Sequence, residues 1–164
     1  MCFPLIEDLP LPPVGHDGWP WTVGSEPMPD TAPDGRPWPT ISIVTPSFNQ
    51  GQFLEETIRS VLLQGYPSLE YIVMDGGSTD NSVEIIRKYE PWLTCWVSEP
   101  DKGQSHAINK GFEHAAGQIW GYINSDDLYE PNALFLAAAS FSGQTEVHLL
   151  AGQCVVFNDQ GVKG

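Results

Sequence analysis

From Thr40 onward the chain alternates between short β-branched runs and helical stripes, and that alternation leaves few folds open. Ile41–Pro46 is a β-branched run closed by proline, which reads as a buried strand. Residues 52–64 follow with Phe53, Leu54, Thr57, Ile58, Val61 and Leu62 on one helical stripe. Leu69–Met74 (strand), Ser82–Tyr89 (helix), Trp92–Val97 (strand), Ser105–Ala115 (helix) and Gln118–Ile123 (strand) continue the series. Asn132–Phe141 reads as a helix and Val147–Phe157 as a further strand. Strands separated by helices of about ten residues predict βαβ units, so the class is α/β with a mainly parallel sheet flanked by helices.

Residues 1–39 are different in kind. Ten of the 15 prolines lie within residues 1–40, together with Trp19, Trp21 and Trp38. Proline fixes φ and lacks the amide donor, so long helices and central strands are excluded there. A disordered leader and an arm packed on the domain are both open, the tryptophans arguing for packing. The expected organisation is therefore a Pro/Trp-rich arm over residues 1–39 and an α/β domain over residues 40–164.

Charge and composition narrow the partners. Seven basic residues against 21 acidic ones give a net charge of −14, which disfavours nonspecific nucleic-acid binding and favours a metal ion over a bare phosphate. A nucleotide suits such a surface if a divalent cation neutralises its diphosphate. Three widely spaced cysteines (Cys2, Cys95, Cys154) make neither a disulfide framework nor a metal-ligand set. No run approaches the ~18 apolar residues of a membrane span, so a cytoplasmic location with at most peripheral contact at the inner face of the membrane is expected.

Ligands of open parallel sheets sit outside the carboxyl ends of the strands, and here the loops at those ends carry unusual residues. They are Thr45-Pro-Ser-Phe-Asn49, Asp75-Gly-Gly-Ser-Thr-Asp80, Ser98-Glu-Pro-Asp-Lys-Gly103 and Asn124-Ser-Asp-Asp127. Asp126 and Asp127 are adjacent carboxylates that would repel unless a cation or helix N-terminus compensates. Helix capping before Pro131 accounts for them too, but their position at a central strand end favours Mg²⁺ or Mn²⁺ bridging them to a diphosphate. Asp75 is assigned to a ligand, as an acceptor beside two glycines that permit close backbone approach, and Asp80 to capping of the next helix. Lys102 could neutralise phosphate at a helix N-terminus, although a solvated capping loop with Ser105 or Asp101 explains the same segment equally well. His106 alone decides nothing. Gly-x-Ser-x-Gly, Gly-x-x-x-x-Gly-Lys-Ser/Thr and Gly-x-Gly-x-x-Gly patterns are all missing, which removes hydrolase triads, P-loops and dinucleotide folds.

The ordered set Ile41–Gln50, Tyr71–Asp80 and Tyr122–Asp127 resembles family 2 glycosyltransferases from about residue 40 to 160. The resemblance implies a GT-A nucleotide-diphospho-sugar transferase fold and sugar transfer with inversion, from a donor expected to be a UDP-sugar, to a saccharide or other hydroxyl acceptor, as in polysaccharide assembly. By position it implies Thr45, Pro46 and Phe48 at the nucleotide, Phe48 stacking on the base, and Asp75 accepting from the base. Asp126 would face the ribose or sugar and Asp127 the metal; Lys102 is assigned to the nucleotide from its loop alone. Two departures stand out. Gly76 replaces a second aspartate, and the general base that an inverting transfer needs is expected beyond Gly164, since Asp159 and His148 match no family position. The chain thus reads as a donor-binding portion lacking its acceptor part. An exposed sheet edge would then invite a second copy or a partner chain, and the alternative function is a nucleotide-sugar-binding module or inactive fragment without turnover.

Overall fold

A computed structural model describes residues 4–32, 34–141, 148–152, 155–158 and 161–163. Its centre is a four-stranded parallel sheet of β1 (Ile41–Ser47), β2 (Leu69–Asp75), β3 (Cys95–Ser98) and β4 (Ile119–Tyr122), in the order β3-β2-β1-β4. Helices α1 (Leu54–Leu62), α2 (Ser82–Tyr89) and α3 (Gln104–Glu113) connect successive strands. The chain steps from β1 outward to β3, and α3 then carries it back to β4 on the other side of β1. Right-handed crossovers in opposite directions place their helices on opposite faces, which leaves a crevice between the ends of β1 and β4.

Alternation along β1 shows the two faces. Ile41 and Ile43 join Tyr71 and Val73 in a core under α1 and α2, where Leu54, Ile58, Val61 and Ile86 are fully buried. Each such side chain contributes roughly 1.5–3 kcal/mol. Val44, Ile72 and Met74 face the other way, against Ala107 of α3. The contact there is close because Gly111 has no side chain: a Cβ at that position would stand 2.4 Å from a methyl of Val44. At the amino end of the sheet, Glu70 accepts hydrogen bonds from Ser42 Oγ and the amides of Ala116 and Gly117, fastening the turn from α3 into β4.

Residues preceding β1 are held by specific bonds. Leu9, Trp21 and Trp38 are buried. The indole N–H groups of Trp19, Trp21 and Trp38 donate to Tyr129 O, Glu56 Oε1 and Pro29 O at 2.8–3.1 Å. Arg59 of α1, fully buried, donates to the carbonyls of Pro10, Pro20 and Trp21 and to the Tyr89 hydroxyl at 2.8–3.0 Å, with its guanidinium 5.3 Å from the Trp21 ring centroid. A polar cation inside a core is tolerable because its donors are spent on carbonyl oxygens.

Two elements differ from the expectation. β3 begins at Cys95 rather than Trp92, because Pro91 turns Glu90–Trp92 into a 3-10 helix. The single strand expected over 147–157 is not formed in the described part: His148–Gly152 has no strand, and β5 (Val156–Asn158) pairs with β6 (Gly161–Lys163) as a separate antiparallel hairpin. An apolar run becomes a strand only where a neighbouring edge takes its amides, and β4 pairs with β1 alone among the described residues. Helix α4 (Ala133–Phe141) buries Leu134 and Ala138 in the core under α1. Among the described residues no helix is long and apolar enough to cross a membrane.

Candidate functional site

The carboxyl ends of β1, β2 and β4 and the N-terminus of α3 enclose a cleft of about 750 Å³, lined in part by Pro46, Phe48, Gly76, Asp101, Gln104 and Asp126. The loops after β1 and β2 are stitched together beside it. Asn49, at φ 52°, donates its amide to Ser78 Oγ and accepts from the Thr79 amide, at 2.8 and 2.9 Å. Asp80 accepts from the amides of Gly51 and Ser82 at 2.9 and 3.0 Å; the N-cap position of α2 falls on Asn81, so Asp80 ties the preceding turn to the first helical residue instead of capping the helix as expected. Desolvation pushes the Asp80 carboxyl upward, but the bonds from Ser82 and Gly51 outweigh it and hold the group below the usual carboxylate range.

The structure separates the expected site residues. Pro46, Phe48 and Asp126 line the cleft, and Phe48 presents a ring that is 58% exposed. Thr45 does not reach it. The two-residue period of β1 turns Thr45 into the core, where its hydroxyl pairs with Tyr71 at 3.0 Å, so a direct side-chain contact with a nucleotide is excluded. Asp75 is 2% exposed and lies beneath the cleft floor. Its Oδ2 accepts from the amides of Gly77 and Ser78 and from Ser98 Oγ, and its Oδ1 from Ser78 Oγ. It therefore organises the turn. Lys102 is exposed between two lining residues without lining the cleft itself, and its amide donates to His106 Nδ1 at 3.2 Å. Asp127 is exposed beside the cleft, where it accepts from Asn124 Nδ2 at 2.9 Å instead of capping α4.

Some lining residues were not singled out from sequence as ligand contacts. Ser47 is 4% exposed, and its Oγ is buried without a hydrogen-bond partner among the described residues. Asp101 anchors Gly103 through Oδ1 at 2.6 Å. Gln104 donates to Asn124, linking α3 to the β4 loop. The strand-end rule marks all four loops, but which side chain of a loop turns inward depends on pairings that sequence spacing does not carry.

Comparison with known proteins settles the family. The model for "Glycosyl transferase family 2" matches residues 42–162. The chain belongs to that family. This family 2 chain is 39% identical over 116 residues to an uncharacterised glycosyltransferase of Mycobacterium tuberculosis, covering 70% of the chain and 44% of that protein. It thus spans less than half the length of that relative. A mannosyltransferase from Pyrobaculum calidifontis, solved with GDP-mannose and Mn²⁺, superposes with a TM-score of 0.61 at 26% identity over 77% of the chain and 37% of that protein. Staphylococcus aureus TarS 1–349 in complex with UDP gives 0.54 at 28% identity over 62% and 31%. The α/β architecture of this family 2 member, a parallel sheet flanked by helices, is the GT-A fold.

Proposed function

We propose that this chain binds a nucleoside-diphospho-sugar, first of all a UDP-sugar, and serves its inverting, metal-assisted transfer to a saccharide or other hydroxyl acceptor. One observation carries the reading: the strand ends place an exposed aromatic ring, Phe48, and a carboxylate, Asp126, in a single cleft closed by a helix N-terminus. In this reading Phe48 stacks on the base against Pro46, and Ser47 Oγ finds in the ligand the partner it lacks among the described residues. The amide end of α3 faces the diphosphate, and Lys102, exposed between Asp101 and Gly103, is the cation we assign to it. Asp126 faces the ribose or sugar. The relatives solved with GDP-mannose and with UDP support a nucleotide-diphosphate ligand of this kind.

A metal fits the donor set only in company with the ligand. Among the described residues no group of three or more His, Cys, Asp or Glu is gathered to hold an ion. Asp127, with Asp126 beside it, offers exposed carboxylate oxygens, and Mg²⁺ or Mn²⁺ is commonly held by one or two carboxylates with phosphate and water completing the shell. When bound, the ion would stabilise the charge that grows on the leaving diphosphate. The base that deprotonates the acceptor is assigned to no residue; Asp159 lies outside the described residues and His148 does not line the cleft.

Calorimetric titration of UDP with and without Mn²⁺ tests the reading. UDP is expected to bind with Mn²⁺ and at least tenfold more weakly without it, and Asp127→Ala is expected to abolish the difference. Failure of UDP, GDP and dTDP alike to bind would overturn it. Because the chain spans 44% of its relative, a second reading is a donor-binding module without turnover, in which UDP binds while transfer and donor hydrolysis stay at background. For either, association through the open β4 edge, where Trp120 and Tyr122 are exposed, is proposed and is read by sedimentation.

A further inference from the structure

The loop that carries Asp126 and Asp127 has little backbone bonding of its own. After β4 it makes a turn in which the Asp127 amide donates to Asn124 O at 3.1 Å, and residues 128–130 have no regular secondary structure. Its polar groups are met from outside. Thr57 Oγ1 donates to Asp127 O at 2.9 Å, Ser60 Oγ accepts the Tyr129 amide at 3.2 Å, and Gln64 Nε2 donates to Glu130 O at 3.1 Å. Gln64 Oε1 takes the Leu134 amide at 3.2 Å, near the start of α4. Residues 57, 60 and 64 follow one side of α1 and its C-terminal end, and each is at most 1% exposed. Polar side chains so buried are costly unless bonded, and each of these three sends a bond to the same loop. The arm adds one more, since the Trp19 indole donates to Tyr129 O at 2.9 Å. Arg59 of the same α1 holds that arm through the carbonyls of Pro20 and Trp21.

We infer that Thr57, Ser60, Gln64 and Trp19 are positioning residues that fix the main chain of residues 127–130 and so set the Asp127 carboxylate before a ligand arrives. The inference rests on the proposed function, in which Asp127 takes the metal of a nucleoside diphosphate. None of the four lines the cleft; they act through the backbone of the loop. Asp127 is exposed, so its carbonyl turns to water once the Thr57 hydroxyl is gone, and the carboxylate of the same residue moves with it. On the cleft side the carboxylate is held only by Asn124 Nδ2, which is itself tied to Gln104 of α3. A ligand that needs one loop position binds more weakly by the fraction of molecules that hold it. The loss therefore falls on the part of the affinity that runs through Asp127. Trp19 gives the arm, which precedes the family match at residues 42–162, a share in the same task.

The test compares wild type, Thr57→Val, Thr57→Ser and Trp19→Phe. Valine keeps the shape of threonine without the donor, serine restores the donor, and phenylalanine keeps a ring without the indole N–H. Melting curves check folding, and Trp19→Phe carries the test if Thr57→Val does not fold. Amide hydrogen exchange of the ligand-free protein is the first measurement. Residues 124–130 are expected to exchange roughly three- to tenfold faster in Thr57→Val and Trp19→Phe, with β1 and β2 unchanged. Titration of UDP with and without Mn²⁺ is the second. The ratio of the two affinities is expected to fall roughly three- to tenfold in both variants, while the affinity without Mn²⁺ holds. Thr57→Ser is expected to keep wild-type values throughout. Unchanged exchange over residues 124–130 in both variants overturns the inference without any ligand. Faster exchange with an unchanged Mn²⁺ ratio overturns it too, because the bonds then serve packing alone, as does UDP binding weakened equally with and without the metal. An effect in Thr57→Val alone removes Trp19 from the set. Wild type that binds UDP no more tightly with Mn²⁺ overturns Asp127 as the metal residue and the positioning role with it. Wild type that binds no UDP at all overturns the nucleotide reading itself.

Discussion

Ser47 shows how a single residue can be costly to the empty protein and useful to a complex. Its hydroxyl is buried at the cleft wall with nothing to bond, a condition that costs on the order of 1–3 kcal/mol when a buried polar group is left unsatisfied. Ser47→Ala removes the orphan group at little change of volume. Chemical denaturation of the ligand-free protein is expected to show unchanged or higher stability, by up to about 1 kcal/mol, while UDP binds roughly three- to tenfold more weakly. A loss of stability without loss of binding would mean that Ser47 serves packing alone. At this scale the sequence is least legible. Thr45 and Asp75 sit in the right segments, yet strand parity turns the first into the core and turn donors claim the second. Asp101 was visible only as a helix-capping candidate, and its place on the cleft wall comes from the folding of its loop over Gly76.

At the scale of elements most of the fold is legible. Each βα unit combines a β-branched run with a 3.6-residue stripe, and β1, β2, α1, α2, α3 and β4 all form within a few residues of their expected limits. Failures came where partners rather than patterns decide: at Pro91, and over residues 148–152, whose backbone pairs with no strand among the described residues. Helix α1 carries a lesson the stripe does not show. Its Arg59 is a basic residue on the buried face, and three backbone carbonyls of the preceding arm converge on it. Arg59→Met keeps much of the volume and removes every donor, leaving the carbonyls of Pro10, Pro20 and Trp21 without it. The expected loss is about 3 kcal/mol or more in urea denaturation, accompanied by faster proteolysis between residues 10 and 30. An undiminished midpoint would show that the arm is held by its tryptophans alone.

For the whole molecule, buried phenols set the alkaline limit of stability. Burial pushes the Tyr129 hydroxyl up to about 12, and burial also raises Tyr71, an effect that the Thr45 hydroxyl partly offsets. The folded state keeps these protons above pH 10, where the unfolded chain releases them, so stability is intact below about pH 10 and falls as pH rises toward 12. Each phenol held neutral contributes a slope of about 1.4 kcal/mol per pH unit in that window. Asp80 acts in the opposite direction, its lowered value withdrawing stability as the solution is acidified through the carboxylate range. Thermal melts from pH 8 to 12 are expected to hold steady and then drop beyond pH 10; a flat profile to pH 12 would contradict the buried assignment of these tyrosines. The arm raises a matter of timing. It is translated first, but the indole of Trp19 bonds to the carbonyl of Tyr129, 110 residues later in the chain. At ribosomal speeds that is a wait of roughly 5–20 s, during which the Trp19 indole lacks its native acceptor. The last bond of the arm therefore forms only after the loop that follows β4 has been made.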